Sequence, residues 1–155
     1  MDSFIINIID YDMLDEAFEL VDTVFMEFDA PDYSQDGIDE FKKQIIENKE
    51  FRNRFKTGEQ IMIGAFKDSK VIGVLAISVR NHISLLFVDK NYHRNGVATK
   101  LFNKIIIESR KKNVDKIKLN SSPYALQFYY KVGFIATDTE KVKNGIRYTP
   151  MEFIL

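Results

Sequence analysis

The stretch 85–104, LLFVDKNYHRNGVATKLFNK, constrains the fold more than any other, because its apolar pattern changes period across a single glycine turn. Leu85, Leu86, Phe87 and Val88 follow one another without alternation, as in a strand covered on both faces. Asp89, Lys90 and Asn91 end that strand. After Gly96, apolar residues return at Val97, Leu101, Phe102, Ile105 and Ile106, the stripe of a helix with one face in a core. The segment Arg94-Asn95-Gly96-Val97-Ala98 therefore lies where backbone N–H groups lack helical partners. Together with the helix dipole, these groups make an anion site. Gly96 permits close backbone approach and Ala98 keeps the first turn slim. A phosphorylated ligand is expected here.

A chain of 155 residues with 45% apolar content, 13 Phe and 7 Tyr is long and apolar enough to bury one substantial core, so a single domain over 1–155 is expected. No apolar run approaches the roughly 18 residues that span a bilayer. Asp2, Asp10 and Asp12 stand where a signal peptide would carry lysine or arginine, which predicts a soluble cytoplasmic protein without membrane partners. The absence of cysteine removes disulfides, thiolate nucleophiles and cysteine metal sites together. Only His82 and His93 offer imidazoles, so no metal is expected.

The net charge of −1 hides an uneven distribution. Residues 1–80 hold 17 acidic and 9 basic side chains, a net −8, whereas residues 81–155 hold 6 and 13, a net +7. A basic half beside a phosphate turn suits an anionic ligand, and the acidic half suits a cationic one. Nucleic acid is not expected as a partner, because no overall basic character or recognisable module supports it.

Along the chain, Phe4–Ile9 reads as a strand, and residues 12–28 as an amphipathic helix with Asp12 as its cap. Residues 30–37 form a loop. A second helix takes Ile38, Phe41, Ile45 and Ile46 to the core, starting near Ser34 or Asp36, and a further helical turn ends at Gly58. Residues 60–66 and 71–79 are strands joined by a Lys67–Lys70 turn, followed by a strand at 83–88. The helix over about 95–112 leads to a strand at 116–119. Ser122-Pro123 opens a last helix that stops at Gly133. Phe134–Thr137 and Arg147–Leu155 read as a closing hairpin across Asn144-Gly145, with Pro150 assigning its strand to an edge or a bulge. The order β-α-α-β-β-β-α-β-α-β-β describes a mixed α/β layer on one sheet, with a parallel crossover over residues 83–119.

Two spaced motifs within that order resemble the GNAT superfamily of N-acetyltransferases. The family's Gln/Arg-x-x-Gly-x-Gly/Ala turn is met by His93-Arg94-Asn95-Gly96-Val97-Ala98, with His93 in place of the usual Gln or Arg. Its later Asn-x-x-Ala-x-x-Phe-Tyr-x-x-x-Gly-Phe signature is met by Ala125, Phe128, Tyr129, Gly133 and Phe134, with Asn120 set further from Ala125 than that spacing. The resemblance implies a sheet splayed between its fourth and fifth strands and acetyl-CoA as co-substrate. The pyrophosphate would rest on amides of Arg94, Asn95, Gly96, Val97, Ala98 and Thr99, with the His93 side chain at the same coenzyme site. The pantetheine arm would pair with Phe87 and Val88, and Asn120 would line the cleft.

The resemblance also implies that Tyr129 is the general acid that protonates the departing thiolate, since a phenol of ordinary pKa near 10 donates to a thiolate of pKa near 8.5. The acceptor would be a primary amine, on a small molecule or a peptide, attacking directly in a ternary complex. Absence of cysteine agrees with a route lacking an acyl-enzyme. Glu27, Asp29, Asp32 and His82 are open candidates for the base, and Tyr33 with the 29–35 loop falls where the family shapes its acceptor pocket. A non-catalytic acyl-CoA-binding sensor or interaction module is the alternative. A second copy of the chain, as a homodimer, is the one protein partner allowed for.

Overall fold

A computed structural model describes residues 3–155. Strands β1 (Ile5–Ile8), β2 (Gln60–Lys67), β3 (Lys70–Ser78), β4 (His82–Val88), β5 (Lys116–Ser121), β6 (Ile135–Ala136), β7 (Lys141–Lys143) and β8 (Ile146–Ile154) build one mixed sheet. Its order is β1-β2-β3-β4-β5-β8-β6, with β7 paired to β8 alone. The helices are α1 (Leu14–Val24), α2 (Gln35–Phe41), α3 (Lys49–Thr57), α4 (Val97–Lys111) and α5 (Leu126–Val132).

The pattern of β3 explains the layering. Val71, Val74 and Ala76 face one core with Leu14, Phe18, Val21 and Phe51, whereas Ile72 and Leu75 face another with Leu101, Phe102, Ile105 and Phe134. Helices thus cover both sides of the central strands, which is why those strands run apolar without alternation. The β2–β3 connection is a two-residue turn in which Asp68 and Ser69 have φ of +50° and +67°, the geometry of the tight hairpin turn expected there.

The feature that matters for function is the meeting of β4 and β5. They run parallel but share only His82↔Lys118 and Ile83↔Leu119 in register. On its other side β4 follows β3 to Val88, with a register shift that leaves Ser84 unmatched between Ile83 and Leu85. A bulge bends its strand, and beyond it β4 leaves β5. The expected splay between the fourth and fifth strands is present.

Several details correct the sequence reading. The first helix is not one run from Asp12: a 3₁₀ turn at Tyr11–Met13 precedes α1, and a π turn at Phe25–Asp29 and a 3₁₀ turn at Ala30–Asp32 follow it. Asp12 lies inside the first turn and caps nothing; of the two candidates for α2, Ser34 is the cap, accepting the Gly37 N–H at 3.2 Å. The turn expected before Gly58 is a full helix, α3, capped by Asn48. Helix α5 begins at Leu126 rather than at Ser122, because residues 123–125 form a turn first. Pro150 sits neither at an edge nor in a bulge, since β8 lies between β5 and β6. The Pro150 carbonyl accepts the Thr137 N–H at 2.9 Å, so its missing donor faces the same side, where the two-residue β6 has already ended.

Candidate active site

The turn into α4 has the geometry of an anion cradle. Arg94 and Gly96 both take left-handed conformations, with φ of +65° and +78°. The first helical bond runs from the Lys100 N–H to the Gly96 carbonyl at 3.0 Å, which leaves the amides of Gly96, Val97, Ala98 and Thr99 without helical acceptors. A Cβ on Gly96 would meet nothing within 4 Å, so glycine is required here by the backbone angle and not by crowding. Crowding decides Gly73 instead. A Cβ there would stand 2.8 Å from Val97 Cγ1, so a bare β3 lets the start of α4 settle against the sheet.

Strand β4 leads to this cradle with an open edge. The Asp89 N–H bonds the Ile72 carbonyl at 2.9 Å, and Val88 stands opposite Gly73. By the alternation of an antiparallel ladder, Phe87 turns its peptide groups to β3, while Leu86 and Val88 turn theirs to the splay. The Phe87 peptide groups, expected at the cleft, are thus taken by β3, and those of Leu86 and Val88 face the splay. His93 folds back over this edge, its Nε2 donating to the Val88 carbonyl at 2.7 Å. A carbonyl only accepts, so the proton sits on Nε2. His93 thus has a side-chain role in the turn where Gln or Arg was expected.

Above the cleft an aromatic bracket joins three segments. The Phe28 ring lies 4.8 Å from His93 and 5.0 Å from Tyr124, linking the π turn after α1, the cradle and the approach to α5. Phe28 belongs by spacing to the apolar stripe of α1, yet it is only half-buried and serves the bracket. Tyr124 is 50% exposed.

Beneath the bracket sits Asp29, 8% exposed. The Ser122 hydroxyl donates to its Oδ1 at 3.3 Å, and the same hydroxyl oxygen accepts the Ala125 N–H at 3.2 Å. Burial pushes the Asp29 carboxyl up to about 7; the Ser122 bond opposes this and the Asp32 charge adds to it. Tyr129, on α5, is 7% exposed. Burial raises its phenol pKa, and the neighbouring Asp29 charge raises it further, so it stays protonated. Tyr33 packs on Phe25 at 5.5 Å, and its phenol is raised by burial, then by Asp29 and Asp32, against a lowering by Arg147. Burial also raises Tyr124, followed by Asp29 and Glu27, with Arg94 opposing. Tyr33, Tyr124 and Tyr129 thus all lie within the field of Asp29.

Of the other expected site residues, Glu27 and Asp32 stand exposed at the rim of this cluster, within reach of Tyr124 and Asp29, and His82 lies away from it. Glu27 is exposed and pairs with Lys90 at 3.2 Å. Asp32 is exposed, and its carbonyl accepts from Arg147 at 3.2 Å while that guanidinium also holds Glu140. His82 stands at the joined end of β4 and β5, six residues or roughly 20 Å of strand from Val88. Burial lowers its pKa, then the Lys118 charge, with a backbone bond to Ile83 opposing. Asn120 lies exposed on β5 opposite Pro150. The residue three before Ala125, where the family signature carries its asparagine, is Ser122, and Ser122 is the one joined to Asp29. Sequence spacing held that signal. Tyr124 and Phe28 carried none, because only the fold brings their segments together. Among the described residues, no group of three or more histidine or acidic side chains is placed to hold a metal, and no helix is long and apolar enough to cross a membrane.

A splayed mixed sheet with an amide cradle at the open end of β4 defines a family, and the comparisons agree. A model of the acetyltransferase (GNAT) domain matches residues 29–155, so the chain belongs to the GNAT acetyltransferase family. Among solved structures it is similar to the PaiA N-acetyltransferase of Thermoplasma acidophilum in complex with coenzyme A, at 21% identity over 99% of each chain and a TM-score of 0.81. It is also similar to a GCN5-related N-acetyltransferase of Rhodopseudomonas palustris, at 18% identity over 100% of this chain and 98% of that one, with a TM-score of 0.84. An aminoglycoside 6'-N-acetyltransferase complexed with coenzyme A follows at 13% identity, 97% and 96% coverage and a TM-score of 0.67. No curated protein matches the chain in sequence.

Proposed function

We propose that the protein transfers an acetyl group from acetyl-CoA to a primary amine, directly and within a ternary complex. The observation that carries this reading is the convergence of a buried phenol, Tyr129, and a buried carboxyl, Asp29, beside a β4 edge that ends in the amide cradle at Gly96. The coenzyme diphosphate rests on the amides of Gly96, Val97, Ala98 and Thr99, and the pantetheine arm runs along the open β4 edge and takes the Val88 N–H. Coenzyme complexes of two fold relatives support this assignment.

In the reaction, the amine nitrogen attacks the thioester carbonyl carbon and forms a C–N bond. The tetrahedral oxyanion is held by the Leu86 N–H, further along the open edge than the Val88 N–H that the arm takes, a contribution typically of about 3 kcal/mol. Collapse breaks the C–S bond, and Tyr129 gives its proton to the departing sulfur. The acceptor is cationic before reaction, because the mouth combines Glu27, Asp29 and Asp32 with the rings of Tyr33, Phe28 and Tyr124. Calorimetry with acetyl-CoA, followed by thiol release on a polyamine, an aminoglycoside and a lysine peptide, tests the proposal. Saturable binding with turnover on at least one amine is expected. Binding without thiol release on any of the three would refute it in favour of a non-catalytic acyl-CoA-binding module.

A further inference from the structure

An alkyl ammonium has no lone pair, so some group must remove a proton before the nitrogen attacks. We infer that Asp29 is that general base and that Ser122 is the positioning residue that aims it. The inference rests on the acetyl-transfer reading above and adds the proton's destination. Of the four candidates, Glu27 is tied to Lys90 at the surface, Asp32 is exposed and His82 stands at the closed end of the strand pair. Asp29 alone is buried beside Tyr129.

The geometry also explains how the carboxyl is held. The Ser122 hydroxyl has one proton, which it directs to Asp29 Oδ1 because its oxygen already accepts the Ala125 amide. The start of α5 therefore fixes the direction of the hydroxyl, and the hydroxyl fixes one carboxylate oxygen. The titratable groups facing Asp29 are Asp32 and Tyr33 from the segment after it, and Tyr124 and Tyr129 from α5 and its approach. None is cationic. A carboxyl that titrates near neutrality in such surroundings accepts a proton at the working pH and returns it to water after turnover.

The protons balance. Asp29 takes one from the ammonium, leaving a neutral amine. After the C–N bond forms, the nitrogen carries one proton too many. That proton replaces the one that Tyr129 gives to sulfur, so the products are an amide, a thiol and one proton released from Asp29.

The test uses whichever amine of the panel turns over. In the wild-type chain, kcat/KM should fall on the acid side with a midpoint about 7. Asp29→Asn should lower kcat/KM by roughly 10²–10⁴-fold and flatten that limb, with acetyl-CoA affinity by calorimetry unchanged. Ser122→Ala should move the midpoint to higher pH, since it removes the bond that favours the ionised form, and Ser122→Thr should restore it. Carbon NMR of labelled aspartate supplies a readout independent of rate: one carboxyl should titrate near 7 and vanish in Asp29→Asn. A retained limb in Asp29→Asn, or an Asp29 midpoint near 4, overturns the base assignment while leaving acetyl transfer standing. A wild-type chain that binds acetyl-CoA but acetylates nothing overturns both.

Discussion

Holding a buried carboxyl near neutrality has a cost that appears in folding stability. Unfolded, Asp29 releases its proton near pH 4, whereas folded it keeps that proton to about 7. Between those values the native state binds more protons than the unfolded state, so stability falls as pH rises through the window. At about 1.4 kcal/mol per unit, the total over roughly three units is about 4 kcal/mol, levelling off above pH 7. An asparagine side chain at this position cannot ionise and escapes this loss. Asp29→Asn should therefore lie within about 1 kcal/mol of the wild-type chain near pH 4.5 and exceed it by about 4 kcal/mol at pH 8, or roughly 10 °C in Tm for a chain of this size. His82 works in the opposite direction: its lowered native pKa makes stability rise with pH near its unfolded value. That contribution is common to both proteins and cancels in their difference. Urea unfolding of the ligand-free proteins at pH 4.5, 6 and 8 measures it. Parallel stability curves for the two chains would show that Asp29 is not desolvated as the fold indicates.

Two further outcomes are expected. Gly96→Glu should weaken coenzyme binding by 10- to 100-fold beyond Gly96→Gln, because a carboxylate about 5 Å from a phosphate charge costs about 1–3 kcal/mol at effective dielectric constants between 80 and 20; calorimetry at low and high salt checks this, and equal affinities would displace the diphosphate from the cradle. Tyr129→Phe should lower kcat by about 10²-fold with coenzyme affinity retained, and a loss of stability that accounts for the lost activity would make Tyr129 a packing residue alone.

The architecture was legible where one local rule sufficed. A run such as Leu85–Val88 without alternation requires cover on both faces, and the change of period across Gly96 places an amide cradle at a helix start. Pro150 shows the limit of such rules. Whether a proline fits within a sheet depends on which side its missing N–H faces, and that is decided by β6 ending beside it. Phe87 and Val88 were both expected to pair with the pantetheine arm, but the register of β3 against β4 turns their peptide groups to opposite sides.

By itself, then, the sequence determined most of the order of elements and the cradle, because these follow from periodicity and turn residues within a few turns of chain, while the candidacy of Tyr129 came from the family resemblance. Only the tertiary structure set Glu27, Asp29, Asp32 and His82 apart, burying Asp29 and leaving Glu27 and Asp32 exposed. Four ionisable side chains look alike in a sequence, and what separates them is desolvation and neighbouring charge. Those quantities arise only when the fold brings together segments as far apart as Asp29 and Ser122, 93 positions along the chain.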